Sequence, residues 1–215
     1  GNQVTSGIFN TLIGGLAGDA LTTGSNNIAI GVNALSTEDA HGRNVAIGRD
    51  ALKLQDAGAD GYNTAIGYVA GANVTTGIKN TLVGGSAGDA LTTGVQNVAM
   101  GYEALSGEDT GSKSVAIGAF ALRVQNFDGD AYNVAIGHDT GKAISTGTEN
   151  TLVGGQAGDA LTEGARNVAL GKSALSAEDT GSRNVAVGWS ALGALNYDGN
   201  GNNTALGYYA GALIQ

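Results

Sequence analysis

One five-residue unit recurs twelve times along this 215-residue chain: Asn, then Thr, Val or Ile, then Ala or Leu, then an aliphatic residue or Met, then Gly. It stands at 10–14, 27–31, 44–48, 63–67, 80–84, 97–101, 114–118, 133–137, 150–154, 167–171, 184–188 and 203–207, and Ser114 alone replaces the leading Asn. The closing glycines are spaced 17, 17, 19 and 17 residues apart, and that order then repeats. Four coils therefore make a superrepeat of 70 residues, giving 1–70, 71–140 and 141–210, with 211–215 opening a fourth in register. A chain with such a period buries its apolar surface by stacking copies of one unit on the next.

Each unit is strand-like, because its branched residues favour extended backbone. Three residues after each closing Gly stands an Ala, from Ala17 to Ala210, with Thr140 the exception, and the next position runs Gly, Leu, Leu, Gly in each superrepeat. A second short strand or a bend is expected there. The 38 glycines and the lack of any sustained 3.6-residue period exclude helices. The expectation is an all-β fold, one parallel β-solenoid domain over 1–215 with about 12 coils of 17–19 residues. Coils spaced by about 4.8 Å would make a rod about 58 Å long. The Asn column reads as a ladder of side-chain amides bonding from coil to coil. A Gly shortly before that Asn (Gly7, Gly24, Gly77, Gly94, Gly147, Gly164, Gly181) reads as a positive-φ corner.

Side chains alternate faces along a strand, so Val45 and Ile47 share one face and Ala46 takes the other. With Val and Ile inside, the middle column from Leu12 and Ala29 to Ala205 faces outward, yet it is never polar. Small outward residues let backbones approach, which points to packing against further copies of the chain. The alternative puts Ala inside a narrow roll and Val/Ile on an outer seam. It too requires a partner.

Hydrophobic residues make up 42% of the chain but aromatic ones only 5%, which suits a thin core of small side chains. A net charge of −9 repels phosphate backbones and excludes a nucleic-acid partner. No apolar run approaches the roughly 20 residues that insert across a bilayer. The chain has no Cys, hence no disulfide and no thiolate metal site. The opening residues carry no signal-peptide pattern, as in a mature segment or a piece of a longer chain. Because the sequence starts and stops in phase, without polar caps, its ends are expected to be covered. Residues 211–215 of one molecule would then complete the coil begun by residues 1–14 of the next.

Few residues point to chemistry. "GGSAG" (84–88) has the look of a phosphate-binding glycine loop, but no helix pattern follows it, so it reads as a turn. The 19-residue coils carry "QDAGADGYN" (55–63), "QNFDGDAYN" (125–133) and "LNYDGNGNN" (195–203). Their aspartates, Asp56 with Asp60, Asp128 with Asp130, and Asp198, are the raw material of a calcium loop. No Glu stands at a bidentate position, and the segments read as longer turns instead. "TEDAHGR" (37–43), "GEDTGSK" (107–113) and "AEDTGSR" (177–183) read as solvated charged loops, since neighbouring carboxylates diverge. His41 and His138 show no ligating partners in sequence. The Thr pairs, such as Thr22–Thr23 and Thr92–Thr93, are too irregular for an ice-ordering face. No catalytic, cofactor-binding or metal residue is assigned, and an enzyme is not expected.

The unit, together with the small-residue turn after it, resembles the head repeats of trimeric autotransporter adhesins. NTAIGYVAG (63–71) and NTALGYYAG (203–211) are also similar to repeats of phage tail-fibre and related surface proteins. The resemblance spans all twelve coils, although the coils here are longer than is usual in those heads. It implies a left-handed parallel β-roll, three chains side by side, and an extracellular role on a virion or cell surface. The function it implies is adhesion to a cell-surface glycan or protein receptor. The other expectation is a self-assembling filament of chains stacked end to end, with a structural role alone.

Overall fold

The computed structural model describes residues 3–213. The proposed junction between residues 1–14 and 211–215 therefore falls in part outside the described residues. Twelve three-residue strands follow one another: β1 (Thr11–Ile13), β2 (Ile28–Ile30), β3 (Val45–Ile47), β4 (Thr64–Ile66), β5 (Thr81–Val83), β6 (Val98–Met100), β7 (Val115–Ile117), β8 (Val134–Ile136), β9 (Thr151–Val153), β10 (Val168–Leu170), β11 (Val185–Val187) and β12 (Thr204–Leu206). They pair in parallel, in chain order, as one twelve-stranded sheet. Register follows the repeat, with Leu12 opposite Ala29 and Ala116 opposite Ala135. The chain is thus a parallel β-solenoid of about twelve turns. Among the described residues, no helix is long and apolar enough to cross a membrane.

The strands are short because each is bounded by backbone that only a turn adopts. The closing Gly takes φ between 128° and 144°, beyond the reach of most L-residues. At Gly101 (φ 141°) a Cβ would come within 2.5 Å of the Gly118 carbonyl, so that column cannot carry a side chain. Three further corners per coil sit in the left-handed region: the residue before Asn, the residue before the Ala column, and the one after it. Arg43 (φ 61°), Asp50 (φ 57°) and Leu52 (φ 46°) are one coil's set. Such residues are uncommon away from Gly, and the coil-to-coil ladder holds them in place. Arg43 N–H donates to the Ser25 carbonyl (3.1 Å), Asp50 N–H to Val32 (2.9 Å) and Leu52 N–H to Ala70 (3.1 Å). Of the second short strand or bend expected after the closing Gly, the chain makes the bend. The glycines expected as positive-φ corners, Gly7, Gly24, Gly77, Gly94, Gly147, Gly164 and Gly181, are not among the positive-φ residues. Close approach explains several of them: a Cβ on Gly77 or Gly147 would lie 2.5 Å from the carbonyl of the next coil's glycine.

The middle strand column faces inward, contrary to the first of the two sequence readings. Ala29, Ala46, Leu82, Ala116, Leu152 and Ala186 are all fully buried. The space inside one turn is narrow, so side-chain size rather than polarity selects the inner face. Leu82 shows how volume is shared. A Cβ at Gly71 would lie 2.6 Å from Leu82 Cδ1, and one at Gly88 2.8 Å from Leu82 Cδ2. Where the strand supplies Leu, the turn therefore supplies Gly. Where the strand supplies Ala29 or Ala46, the turn supplies buried Leu35 or Leu52. That complementarity is a physical reason for the four-coil period.

The Asn ladder runs mainly through the backbone rather than from amide to amide. Asn97 Oδ1 accepts from Ser114 N–H (3.0 Å), and its Nδ2 donates to the Gly111 carbonyl 14 residues on (2.8 Å). The same pair of bonds recurs at Asn27, Asn80, Asn150 and Asn167. Direct amide-to-amide bonds supplement it, as from Asn150 Nδ2 to Asn133 Oδ1 (3.2 Å). In the 19-residue coils the acceptor position is Asp60, Asp130 or Asn200 rather than Gly, and Asn44 Nδ2 and Asn184 Nδ2 are left buried without a partner. The third Asn-column position ahead of such a coil is Ser114, and its hydroxyl instead accepts from Gln125 Nε2 (2.9 Å). The one exception in the motif thus sits where an Asn amide has nothing to donate to.

Candidate functional site

With Ala inside, the first and third strand residues point outward. No residue of either column is buried in any of the twelve strands. The third column is apolar throughout, from Ile13 through Ile66, Met100 and Ile136 to Leu206. Next to it, the two positions after several closing glycines carry rings or charges, among them Arg49, Tyr68, Tyr102, Phe120, His138 and Trp189. Tyr102 meets Phe120 edge-on at 5.5 Å between ring centres, and Phe120 meets His138 at 5.7 Å. Trp189 stacks on Tyr208 at 5.1 Å, with Tyr209 edge-on to both. Tyr208 is 73% exposed. This face combines a flat aliphatic strip with accessible rings.

A second cluster lies inside. Three residues after the Gly/Leu turn position, each coil sends a side chain inward: Leu21, Glu38, Gln55 and Val74 in the first superrepeat. Glu38, Glu108 and Glu178 are fully buried, not solvated as the sequence suggests for their loops. The missed signal is register, since Glu occupies a column otherwise filled by Leu, Val, Ile or Gln. Glu108 is held by Gly111 N–H on Oε1 (2.7 Å), and by Gln125 Nε2 (2.9 Å) and Phe127 N–H (3.3 Å) on Oε2. Gln125 Oε1 in turn accepts from Asn133 Nδ2 (2.8 Å). Glu178 accepts from Gly181 N–H (2.8 Å) and from Tyr197 N–H. Leu195 replaces the Gln in that copy. Burial pushes the carboxyls of Glu38, Glu108 and Glu178 above their ordinary range.

A pH dependence follows for Glu108 and Glu178. For Glu108, Asp109 reinforces the upward shift, against the donors from Gln125, Gly111 and Phe127; for Glu178, Asp179 does the same against Gly181 and Tyr197. An acid whose folded pKa exceeds its unfolded value of about 4.3 binds more protons when folded. Its stabilising contribution is fully present below the unfolded pKa and is lost as pH rises through the folded one. Asp130 and Glu149, held low by Lys113 and Arg166, act oppositely, but only as pH falls through the normal carboxylate range and below, and both are exposed. The melting temperature is therefore expected to be higher near pH 5 than near pH 7.5, read by thermal melts across that window. A melting temperature that falls on acidification to pH 5 contradicts the assignment.

The loop aspartates do not form matching sets. Asp128 Oδ1 accepts from Thr110 Oγ1 (2.6 Å) and Asp198 Oδ1 from Thr180 Oγ1 (2.9 Å), each bridging to the preceding coil. Asp130 pairs with Lys113 (2.6 Å), and Asp60 pairs with Arg43. Asp56 instead joins Glu38, Asp39 and His41, whose ligating atoms all lie within 4.8 Å of one another. His41, without evident ligating neighbours in the sequence, thus lies among three carboxylates. Among the described residues, His138 pairs with one carboxylate, Asp139 (3.0 Å). In "GGSAG" the amides of Gly84, Ser86, Ala87 and Gly88 all donate to backbone carbonyls, as a turn requires. Thr22 and Thr92 hydroxyls donate to the Asp39 and Asp109 carbonyls of the next coil.

These features define a repeat protein of the parallel β-solenoid class, with an apolar, ring-bearing outer face. No protein-family model, curated protein or solved structure matches the chain.

Proposed function

We propose that the chain is a segment of an extracellular fibre, of the virion tail-fibre or surface-adhesin type, built from three copies side by side and serving attachment to a host or surface receptor. The carrying observation is the outward strand face. Twelve coils present an uninterrupted apolar third column that is exposed in five strands, half-buried in seven and fully buried in none. An aliphatic strip of that length matches most closely another strip with the same coil spacing, that is, a second copy of this chain. The resemblance of NTAIGYVAG and NTALGYYAG to adhesin-head and tail-fibre repeats supports the same reading. Exposed rings at Tyr102, Tyr208 and Tyr209, the last two packed on half-buried Trp189, suit stacking on the faces of sugar rings, which supports a glycan receptor.

The assembly is tested at Ile117, on the outer face of β7 and not buried. Ile117→Glu points a charge away from the core, so a lone coil tolerates it while a packed seam does not. The expected result is a folded chain with unchanged circular dichroism and a lowered molecular mass in solution. An unaltered mass would place the seam elsewhere. A labelled wild-type assembly is expected to bind cells or glycan arrays, and failure on every surface tried would leave a structural filament as the better reading.

A further inference from the structure

The geometry points to a divalent transition-metal site, of the Zn²⁺ class, formed by Glu38, Asp39, His41 and Asp56 in the first superrepeat alone. Glu38 forms the fully buried floor, His41 a half-buried wall, and Asp39 and Asp56 an open rim. The ligating atoms of all four lie within 4.8 Å of one another, close enough for a small side-chain movement to bring them onto one ion.

Three observations separate this cluster from an ordinary acidic loop. Glu38 Oε2 is buried and has no hydrogen-bond partner, and neither has the nearby buried Gln55 Nε2. The equivalent Glu108 Oε2 takes donors from both Gln125 and Phe127, so the first copy has given up the bonds that satisfy the second. His41 Nδ1 is likewise buried without a hydrogen bond, 3.6 Å from Glu38 Oε1. Finally, the two side chains that complete the cluster are the ones in which the copies differ. Where the first superrepeat has His41 and Asp56, the second has Gly111 and Asn126 and the third Gly181 and Asn196. Both exchanges add a metal-ligating group at one place, and the buried polar atoms they face are orphaned there.

Donor chemistry selects the ion. One imidazole with three carboxylates suits Zn²⁺, Co²⁺ or Mn²⁺, whereas Ca²⁺ takes six to eight oxygens and no nitrogen. Glu38, Asp39 and His41 belong to the second coil and Asp56 to the third, so a bound ion would staple two coils together. This departs from the expectation of no metal residue.

The test uses tag-free protein titrated with Zn²⁺ by calorimetry and with Co²⁺ by visible absorption, with Ca²⁺ as a separate arm. The variants are His41→Gly, Asp56→Asn and the double change, which install the residues that the same backbone carries in the other superrepeats. They are therefore expected to fold, which unchanged melts without metal would verify. The expected result is one Zn²⁺ per chain, a Co²⁺ spectrum with ligand-field bands, and a metal-dependent rise in melting temperature. Since losing even an outer-shell partner of a metal ligand weakens binding about 10–100-fold, each single variant should lose at least about tenfold and the double variant all specific binding. Absence of Zn²⁺ uptake by the wild type, uptake unchanged in the double variant, or binding of Ca²⁺ without Zn²⁺ would each overturn the site.

Discussion

Ala116→Glu is expected to cost about 4 kcal/mol or more, because it places a carboxylate without a partner among fully buried side chains. The position lies in β7, in the middle of the rod, opposite Ala99 and Ala135 in the two adjoining strands. A solenoid is stabilised by each coil's interface with its neighbours, so a break there separates the structure into two shorter stacks. Lys113→Glu, one coil corner away, removes an exposed pair with Asp130 and is expected to cost far less. Chemical denaturation of the two variants reads the contrast. The direction matches what a seam of outward alanines would give, but the cause differs: Ala116 is core, and the penalty should persist in a chain that has been made monomeric. Equal and mild effects would mean that the column faces water.

Asn97→Ala is expected to lose about 2–6 kcal/mol, the sum of two buried groups left unpaired at about 1–3 kcal/mol each. Ser114 N–H would lose its acceptor and the Gly111 carbonyl its donor. Asn203→Ala is the internal control. Its side chain is only partly buried, so water can replace what it loses, and a cost below about 1 kcal/mol is expected. If both substitutions cost the same, the ladder contributes nothing beyond what any Asn supplies.

The strands were legible because period and composition coincide: each three-residue strand falls inside one five-residue unit, and parallel order follows from the repeat. The inner face was not. Val45 and Ala46 are both apolar, so alternation alone marks two candidate faces, and the choice depends on the width of the coil. The left-handed corners were equally hidden, since Arg43, Tyr62 and Glu149 are ordinary residues held there by bonds to neighbouring coils. Glu38 became visible only when its column was read in register beneath Leu21 and above Gln55. The gathering of His41 and Asp56 beside it had one sequence signal, two positions where the first superrepeat alone carries a ligating side chain and the other two carry Gly and Asn.

Side-by-side packing of this solenoid through its outward strand face is read by the molar mass of the wild-type protein in solution, measured by light scattering after size exclusion. The expected result is a discrete species of three times the chain mass. A single species at the chain mass, with the outward Val and Ile columns left to solvent, would contradict it.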